Sequence, residues 1–243
     1  MPKERLDILL HQRGLASSRE QAKRLILAGE VFMGDTTASK PGQLVPNDTE
    51  LRVKEQPRFV SRGGLKLEGA LNHFGVDVTG LTCLDIGSST GGFTDCLLQH
   101  GAARVYAFDV GTNQLVWKLR SDARVVSREN FNVRHLVPAD LPEPIDFIVA
   151  DVSFISLTLV LPPVLPHVKQ GGIVLIKPQF ELSRDEVGRG GIVREPNLHQ
   201  KSVQKLQDFI EQQSGFEWRG VIDSPITGTD GNREFLAWFT RKS

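Results

Sequence analysis

The chain has 243 residues, of which 40% are hydrophobic and 24% are charged, and its 29 basic residues balance 29 acidic ones. This length fits one medium domain plus a small one, and the composition is typical of a globular protein that buries a core. It excludes a membrane-spanning protein, because no stretch approaches the roughly 20 apolar residues of a span, and the charged N-terminus lacks the apolar segment of a signal peptide.

The first elements predict a small, strongly turned module. Residues 4–13 form a helix pattern, because three leucines recur on one face. Ser18 followed by Gln21 is a capping box for a second helix, which ends at Gly29. Short apolar runs and turn residues between positions 31 and 53 then predict a compact β-unit.

This module resembles the S4 RNA-binding domain. The resemblance is carried by segments 5–15, 18–22, 26–31 and 40–42 and covers nearly the whole module. Residues 1–62 hold 11 Lys and Arg against 8 Asp and Glu, a bias that permits RNA binding. The alternative is that these charges only solvate helix faces. The predicted RNA-binding residues are Arg5, Arg13, Arg19, Lys23, Arg24, Lys40 and Arg62.

The rest of the chain predicts an α/β domain. A polar, proline-containing segment separates two predicted domains. The expected limits are an S4-like domain at 1–55, a linker at 56–62 and a second domain at 63–243. Strand candidates then alternate with helical patterns, which predicts a doubly wound, mainly parallel, Rossmann-like sheet. The strand candidates are 81–86, 104–109, 145–151, 172–177 and 235–240, and the helical patterns lie near 65–74, 92–100, 113–120, 156–166 and 199–213.

Segment 84–93 predicts a buried strand, a glycine turn and a helix, which places backbone N–H groups against a ligand. Asp85 precedes the first glycine, where a carboxylate would repel a pyrophosphate, and the spacing Gly-x-x-x-Gly-Gly differs from that of dinucleotide folds. An ammonium group and ribose hydroxyls suit such a site, so S-adenosylmethionine (SAM) is the predicted ligand. The alternative is a tight turn without a ligand. The predicted cofactor-binding residues here are Asp85, Gly87, Ser88, Ser89, Gly91, Gly92 and Phe93.

Residues after the next strands complete the predicted cofactor site. Asp109 ends the second strand candidate, where a carboxylate accepts hydrogen bonds from ribose hydroxyls, and Val110 follows it. Phe131 could pack against an adenine face while Asn130 binds the adenine edge. The alternatives are an acid that caps the next turn and an aromatic residue of the core.

Four charged residues are the catalytic candidates. Lys66 lies in the helix before the glycine turn, Asp151 and Lys177 end apolar strands, and Glu234 opens the last strand. If that strand runs antiparallel, its start meets the ends of the other two at one sheet edge and these side chains converge. The alternative for each residue alone is an ordinary strand-end charge.

This residue set suits methyl transfer to a ribose hydroxyl, which must lose its proton as it attacks. A free lysine is a weak base at neutral pH unless its surroundings favour deprotonation. Lys66 favours loss of a proton from Lys177 and the carboxylates oppose it, so the predicted task of the carboxylates is orientation. The reaction requires no metal. Residues 182–197 predict either a mobile loop over the substrate or an ordinary surface excursion.

The four residues resemble the catalytic set of the FtsJ-like RNA 2′-O-methyltransferases, and the whole chain is similar to the TlyA family, often labelled hemolysin A. The matching motifs lie at 60–67, 84–95, 150–156, 176–181 and 231–234. The resemblance implies SAM-dependent 2′-O-methylation of ribosomal RNA, at cytidines of the large and sometimes the small subunit. Members differ in a short N-terminal extension, and this chain begins almost directly on the first helix, so we expect the large-subunit target.

Two alternatives remain at this stage. One is an RNA-binding protein with a catalytically silent methyltransferase fold, for which a broken glycine turn or a missing lysine would be the sign, and neither occurs. The other is a membrane-lysing protein, which lacks support from a span or a basic amphipathic stretch. Cys83 and Cys96 fall in apolar surroundings that favour buried thiols in a reducing compartment, so we expect a cytoplasmic protein.

Overall fold

The computed structural model describes residues 2–54, 57–213, 215–228 and 230–242. The chain divides into two compact units, Met1–Pro57 and Arg58–Ser243. The predicted boundary between domain and linker falls at residues 55 and 56, which lie outside the described residues. Each unit has a core of its own.

The smaller unit packs two helices against short antiparallel strands. Leu6, Leu10 and Ile26 are fully buried in its single apolar cluster. The second and fifth strands pair within a three-stranded sheet, and the first strand pairs with the fourth. The helices are α1 (Leu6–Gln12) and α2 (Arg19–Leu27), and the strands are β1 (Lys3–Arg5), β2 (Val31–Met33), β3 (Thr36–Thr37), β4 (Leu44–Pro46) and β5 (Leu51–Val53).

The helix limits follow the sequence patterns except at the start. The Ser18 hydroxyl accepts a hydrogen bond from the backbone N–H of Gln21 at 3.1 Å, as the capping box predicts. The Gln21 side chain bonds to Ser17 rather than closing the box on Ser18. The first helix begins at Leu6 rather than at residue 4, because residues 3–5 pair with β4 as a strand.

A seven-stranded sheet forms the centre of the larger unit, in the order β11-β12-β10-β9-β6-β7-β8. Among the described strands of this sheet, β12 alone runs in the direction opposite to the others, so the doubly wound, mainly parallel α/β prediction is confirmed. The strands are β6 (Thr82–Ile86), β7 (Arg104–Phe108), β8 (Val125–Arg128), β9 (Ile145–Ala150), β10 (Val168–Ile176), β11 (Phe216–Asp223) and β12 (Phe235–Arg241). The helices are α3 (Gly63–Phe74), α4 (Gly92–Gln99), α5 (Trp117–Arg120), α6 (Leu157–Val160), α7 (Pro178–Glu181) and α8 (Pro196–Gln212).

Apolar side chains cover both faces of this sheet. Successive strand residues point to opposite faces, so Leu84 and Ile86 join one buried cluster while Cys83 joins the other. Cys83 and Cys96 are free, buried thiols, as predicted. Burial raises the pKa of the Cys83 thiol to about 12, so it is not a reactive thiolate at neutral pH.

Both edge strands, β8 and β11, were absent from the sequence prediction. Each has neighbours on one side only and carries polar side chains among its apolar ones, which weakens the apolar run that marks a central strand. A register shift between Trp218 and Gly220 further interrupts the alternation in β11.

Two predicted helices are shorter than their patterns. The pattern at 113–120 reduces to α5, because the Glu129 carboxylate accepts backbone N–H groups of residues 113–115 and holds them outside a helix. The pattern at 156–166 reduces to α6, because Pro162 and Pro163 interrupt the helix and a 3₁₀ turn follows at Leu165–His167.

Candidate active site

The topology brings three of the four catalytic candidates to one sheet edge. Asp151 follows β9 and Lys177 follows the parallel neighbour β10. Glu234 precedes β12, whose first residue Phe235 pairs with Ile176 in antiparallel register. The start of β12 therefore lies beside the ends of the other two strands, as the sequence predicted.

The first ion pair of the site joins Lys177 to Asp151. Lys177 Nζ lies 2.6 Å from Asp151 Oδ1 and donates a hydrogen bond to Ser153 Oγ at 3.0 Å. The contact with Asp151 is an ion pair at hydrogen-bonding distance. The Lys177 ammonium therefore lies between two oxygen partners and remains partly accessible.

The second ion pair is sealed more completely. Lys66 Nζ donates to Glu234 Oε2 at 2.5 Å, and both side chains are at most one-tenth exposed. Gly228 packs against this carboxylate, because a Cβ on it would lie 2.6 Å from Glu234 Oε1. The pair therefore depends on close backbone approach as well as on charge.

Both ion pairs and the glycine turn face one cavity of about 270 Å³. The cavity brings the four catalytic candidates together with five of the cofactor candidates, and it adds Arg62, predicted as an RNA contact. The lining residues are Ser61, Arg62, Gly63, Lys66, Gly87, Ser88, Ser89, Thr90, Gly92, Phe93, Asp151, Ser153, Lys177 and Glu234.

The glycines of the turn are required by contact. Gly87 has a φ of +80°, and a Cβ there would lie 2.5 Å from the backbone oxygen of Asp151. Gly91 has a φ of +102°, and a Cβ there would lie 2.2 Å from Leu119 Cδ1. These positions let the turn approach the end of β9 and the core without a side chain in between.

Asp85 lies beneath the turn rather than in the cavity lining. Its side chain has no exposed surface, and its Oδ2 accepts a hydrogen bond from Thr94 Oγ1 at 2.6 Å. Its Oδ1 finds no partner within the described part of the chain. Burial raises the pKa of this carboxyl to about 7, and the neighbouring carboxylates Asp151 and Asp109 add to the shift.

The remaining cofactor candidates lie outside the lining of this cavity. Asp109 accepts backbone N–H groups of Ser89 at 2.8 Å and Gly111 at 2.7 Å, which ties the glycine turn to the loop after β7. Val110 beside it is largely exposed. The predicted ribose contact of Asp109 remains a prediction.

Asn130 and Phe131 follow β8 and have partners of their own. The Asn130 side chain accepts a hydrogen bond from Thr112 at 2.6 Å. The Arg128 guanidinium lies 3.7 Å from the Phe131 ring centroid, and Phe108 meets that ring edge to face at 5.2 Å. An adenine that packs on Phe131 must therefore use the ring face opposite Arg128.

Four of the predicted RNA-binding side chains are engaged within the smaller unit. Arg5 and Arg19 bind the buried Asp7, at 3.1 and 2.9 Å. Arg13 donates to the backbone oxygens of residues 47 and 49, and Lys23 pairs with Glu20.

Arg24 and Lys40 are exposed and have no ion pair or side-chain hydrogen bond within the described residues. Arg62 of the larger unit is likewise exposed and without such a partner within the described residues, so these three predicted contacts have the most freedom to meet RNA phosphates.

Three polar residues near the site were not assigned from sequence. Ser153 binds Lys177, Ser61 lines the cavity beside Gly92, and Thr94 binds Asp85. Each lies inside a motif that drew attention for its charged or glycine residues. A hydroxyl two positions after a strand-end acid, as in Asp151 and Ser153, is the signal that could have found the first.

Comparison with known proteins shows which families the chain resembles. A family model described as FtsJ-like methyltransferase matches residues 59–241, and one described as S4 domain matches residues 4–51. A Bacillus subtilis protein named as a candidate rRNA methyltransferase, YqxC, is 51% identical over 238 residues, covering 96% of this chain and 84% of that protein. The 16S/23S rRNA (cytidine-2′-O)-methyltransferase TlyA of Mycobacterium tuberculosis is 45% identical over 238 residues, covering 96% and 88%.

A solved structure extends the similarity to the three-dimensional fold. A candidate hemolysin from Streptococcus thermophilus matches with a TM-score of 0.74 and 48% identity, covering 100% of this chain and 90% of that one. The resemblance found in the sequence is therefore confirmed. Within the described residues, no helix combines the length and the apolar character needed to cross a membrane.

Proposed function

This chain belongs to the family of FtsJ-like methyltransferases and carries an S4 domain, and from that premise we propose that it methylates a ribose 2′-hydroxyl of ribosomal RNA, with SAM as methyl donor. The observation that carries the proposal is the single cavity where the glycine turn meets the Lys66–Glu234 and Lys177–Asp151 pairs. The target proposed is a cytidine of 23S rRNA, with 16S rRNA as a second target, because the Mycobacterium tuberculosis relative is named for both. Such an enzyme works in the cytoplasm, where ribosomes assemble.

The glycine turn has the properties that a SAM site needs. The backbone N–H groups of Gly92 and Phe93, at the start of α4, have no acceptor within the described residues and border the cavity. Asp85 Oδ1 is a buried acceptor without a partner directly behind this turn. Gly87, Gly91, Gly92, Phe93, Ser88, Ser89 and Asp109 would hold the cofactor, with Val110, Asn130 and Phe131 near its adenine. When bound, SAM supplies an electrophilic methyl group.

Lys177 is the proposed general base. A ribose hydroxyl must give up its proton as its oxygen attacks, and Lys177 Nζ borders the cavity where that oxygen would lie. In the unprotonated form the amine accepts this proton, and Asp151 at 2.6 Å then stabilises the ammonium that results. Ser153 accepts a hydrogen bond from one N–H of the same nitrogen and so directs the single lone pair of the neutral amine.

Lys66 and Glu234 are proposed to orient the acceptor. Lys66 keeps a positive charge beside the cavity, and Glu234 holds its ammonium in one position. Positioning of this kind supplies roughly 7–11 kcal/mol in favourable cases, which is more than a general base alone contributes. The proposed task of the carboxylates is to orient the reacting groups, and Lys177 is the proposed general base.

RNA binding is assigned to the S4 domain and to Arg62. Arg24 and Lys40 offer free cationic groups for phosphates, and Arg62 carries an exposed guanidinium at the cavity. The other four predicted side chains already have partners within the domain. To bind RNA phosphates they must share or exchange these partners; they are Arg5, Arg13, Arg19 and Lys23.

The change Lys177→Ala tests the base assignment. We expect methyl transfer from labelled SAM to ribosomal subunits of a gene-deleted strain to fall about 10²–10⁴-fold, because the hydroxyl proton loses its acceptor. The dissociation constant for SAM, measured by calorimetry, should stay within about twofold.

Lys169→Ala is the matched control, since Lys169 lies on β10, the strand that Lys177 follows, and also pairs with an aspartate, Asp146, at 3.1 Å. It should methylate like wild type. Full methylation by Lys177→Ala would overturn the base assignment. A wild-type protein that binds the subunits without labelling them would instead support a catalytically silent RNA-binding protein.

The hemolysin label of some relatives raises a second candidate function. Release of dye from lipid vesicles by the purified protein would support membrane lysis. Labelled 2′-O-methylcytidine in ribosomal RNA without dye release would support the methyltransferase alone.

A further inference from the structure

The segments that carry Asp151 and Lys177 are joined a second time, away from the cavity. Residues 151–156 form an arch between β9 and α6. Its first end is fixed because the Asp151 N–H donates to the backbone oxygen of Ile86 at 3.0 Å. Its middle residue, Ser153, accepts the hydrogen bond from Lys177. Ser153 lies between this fixed end and the far end of the arch at Ser156, so both ends hold it in place.

A buried carboxylate holds that far end. Glu181 belongs to α7, the four-residue helix that directly follows Lys177, and its side chain is 2% exposed. Its Oε1 accepts the N–H of Leu157 at 2.7 Å, and its Oε2 accepts the hydroxyl of Ser156. Lys205 of α8 lies 3.3 Å from Oε2 and donates to the backbone oxygen of Glu181 at 2.6 Å.

A structural task alone does not explain a buried charge at this position. Ser156 already caps α6, since its hydroxyl accepts the N–H of Thr158 at 3.3 Å. Burial of the Glu181 carboxylate is costly, its partner Lys205 is 41% exposed and so contributes little to stability, and an apolar side chain of similar size is often as stable. The Glu181 carboxylate does form a directional link between two segments. One segment follows Lys177, and the other contains the partners of Lys177.

We propose that Glu181 is a positioning residue, which clamps the 151–156 arch to α7 and so keeps Lys177 in register with Asp151 and Ser153. This inference rests on the proposed function. The rings of Phe154 and Phe180, with centroids 5.1 Å apart, join the same two segments but present no directional bond. The carboxylate therefore sets the geometry that the ring contact leaves adjustable.

The segment that follows α7 contains a residue that serves as a matched control. Glu186 pairs with a lysine of α8, Lys201, at 2.5 Å and with the hydroxyl of Ser183 at 2.8 Å. It thus repeats the lysine and serine partners of Glu181. Its contacts do not involve the arch, so loss of its charge leaves the partners of Lys177 in place.

The experiment compares Glu181→Gln, Ser156→Ala and Glu186→Gln with the wild-type chain, using ribosomal subunits from a gene-deleted strain. We expect Glu181→Gln to lower kcat about 10–100-fold, the range for a small misplacement of a reacting group. KM for the subunits and the SAM dissociation constant should stay within about twofold. Ser156→Ala removes one bond of the clamp and should lower kcat about threefold, and Glu186→Gln should leave it unchanged.

A kcat of wild-type size in Glu181→Gln would overturn the proposal, as would an equal loss in Glu186→Gln. If Glu181→Gln does not fold, the kcat of Ser156→Ala decides, and a wild-type value would again overturn the proposal. Thermal unfolding of each variant separates lost positioning from lost structure. Absence of methylation by the wild-type chain would contradict the proposed function itself, a result distinct from all of these.

Discussion

Two aspartates, one in each unit, have no exposed surface, yet they are held in opposite ways. Asp7 in the smaller unit binds two arginines, Arg5 and Arg19. Asp85 in the larger unit binds one hydroxyl, that of Thr94, and keeps an oxygen without a partner within the described residues.

Burial raises the pKa of both carboxyls, but the outcomes differ. At Asp7 the hydrogen bonds and charges of the two arginines outweigh burial, and the pKa falls below its ordinary value. At Asp85 burial prevails, and the pKa rises to about 7. The first carboxylate holds its unit together, whereas the second is an energetic cost that the fold carries directly behind the glycine turn.

The change Asp85→Asn should have the largest effect, because it removes this cost. The folded chain keeps the Asp85 proton up to about pH 7 and the unfolded chain releases it near pH 4, so stability falls as the pH rises between these values. At pH 8 the variant should be more stable by up to about 3 kcal/mol. SAM should bind more weakly, because the amide replaces one of the two buried acceptor oxygens with a donor. Thermal unfolding at pH 5 and pH 8 and calorimetry with SAM measure both effects.

An Asp85→Asn variant that keeps the wild-type dependence of stability on pH would break the comparison. The decrease between pH 4 and pH 7 would then come from other groups of the larger unit.

The change Asp7→Ala should act in the opposite sense. It leaves Arg5 and Arg19 without their shared acceptor, and we expect the smaller unit to lose about 2 kcal/mol. This is below the usual value for a buried pair, because both arginines are nearly half exposed. Urea unfolding of the full chain, followed by circular dichroism, measures the loss.

Asp48→Ala is the control for this change, since Asp48 is exposed in the same unit. Its unfolding should stay within about 0.5 kcal/mol of wild type. Equal stability of Asp7→Ala and Asp48→Ala would mean that the two arginines do not need Asp7.

The change Thr94→Val sharpens the description of Asp85. It removes the hydroxyl hydrogen bond to the carboxyl and should destabilise the larger unit by about 1 kcal/mol at pH 8, where the carboxylate is charged. The same change in an Asp85→Asn background should cost less, and the difference between the two measures the coupling. Equal costs in both backgrounds would show that Thr94 acts through packing.

Acidification should have the smallest effect. At Asp7 the dependence of stability on pH has the opposite sign to that at Asp85, because stability is lost as the pH falls. A carboxyl with a lowered pKa contributes stability above the ordinary aspartate value, and this contribution is lost as the pH falls through the folded value. The smaller unit should therefore lose up to about 1 kcal/mol below pH 4. An acid titration in which wild type and Asp7→Ala lose stability in parallel would contradict this assignment.

The fold was predictable where the sequence repeats a pattern over a whole element. Central strands such as β6 and β9 are buried on both faces and read as continuous apolar runs. The edge strands β8 and β11 were not predicted, because each pairs with a neighbour along one edge only and mixes polar side chains with its apolar ones. The loop at 113–115 was mistaken for helix because its organiser, Glu129, is distant in sequence.

The candidate site was predictable in membership but not in pairing. A charge that closes an apolar strand is conspicuous, which pointed to Asp151 and Lys177. Which lysine meets which carboxylate depends on the position of Lys66 and on the contact of Gly228 with Glu234, and neither has a local signal. Glu181 was hidden for the same reason, since its partners at 156, 157 and 205 come from two other elements.

The place of β12 has a consequence for the order in which the molecule assembles. Within the described strands, β11 pairs with β12 alone, and β12 also pairs with β10. On a ribosome β11 therefore emerges before the strand that it needs, and it stays unpaired until β12 inserts between it and β10. Glu234 leads β12, so the contact with Lys66, which is separated from it by 168 residues, forms only with that insertion. A nascent chain can thus complete its glycine turn and the Lys177–Asp151 pair early, but it gains the Lys66–Glu234 pair only when β12 enters the sheet.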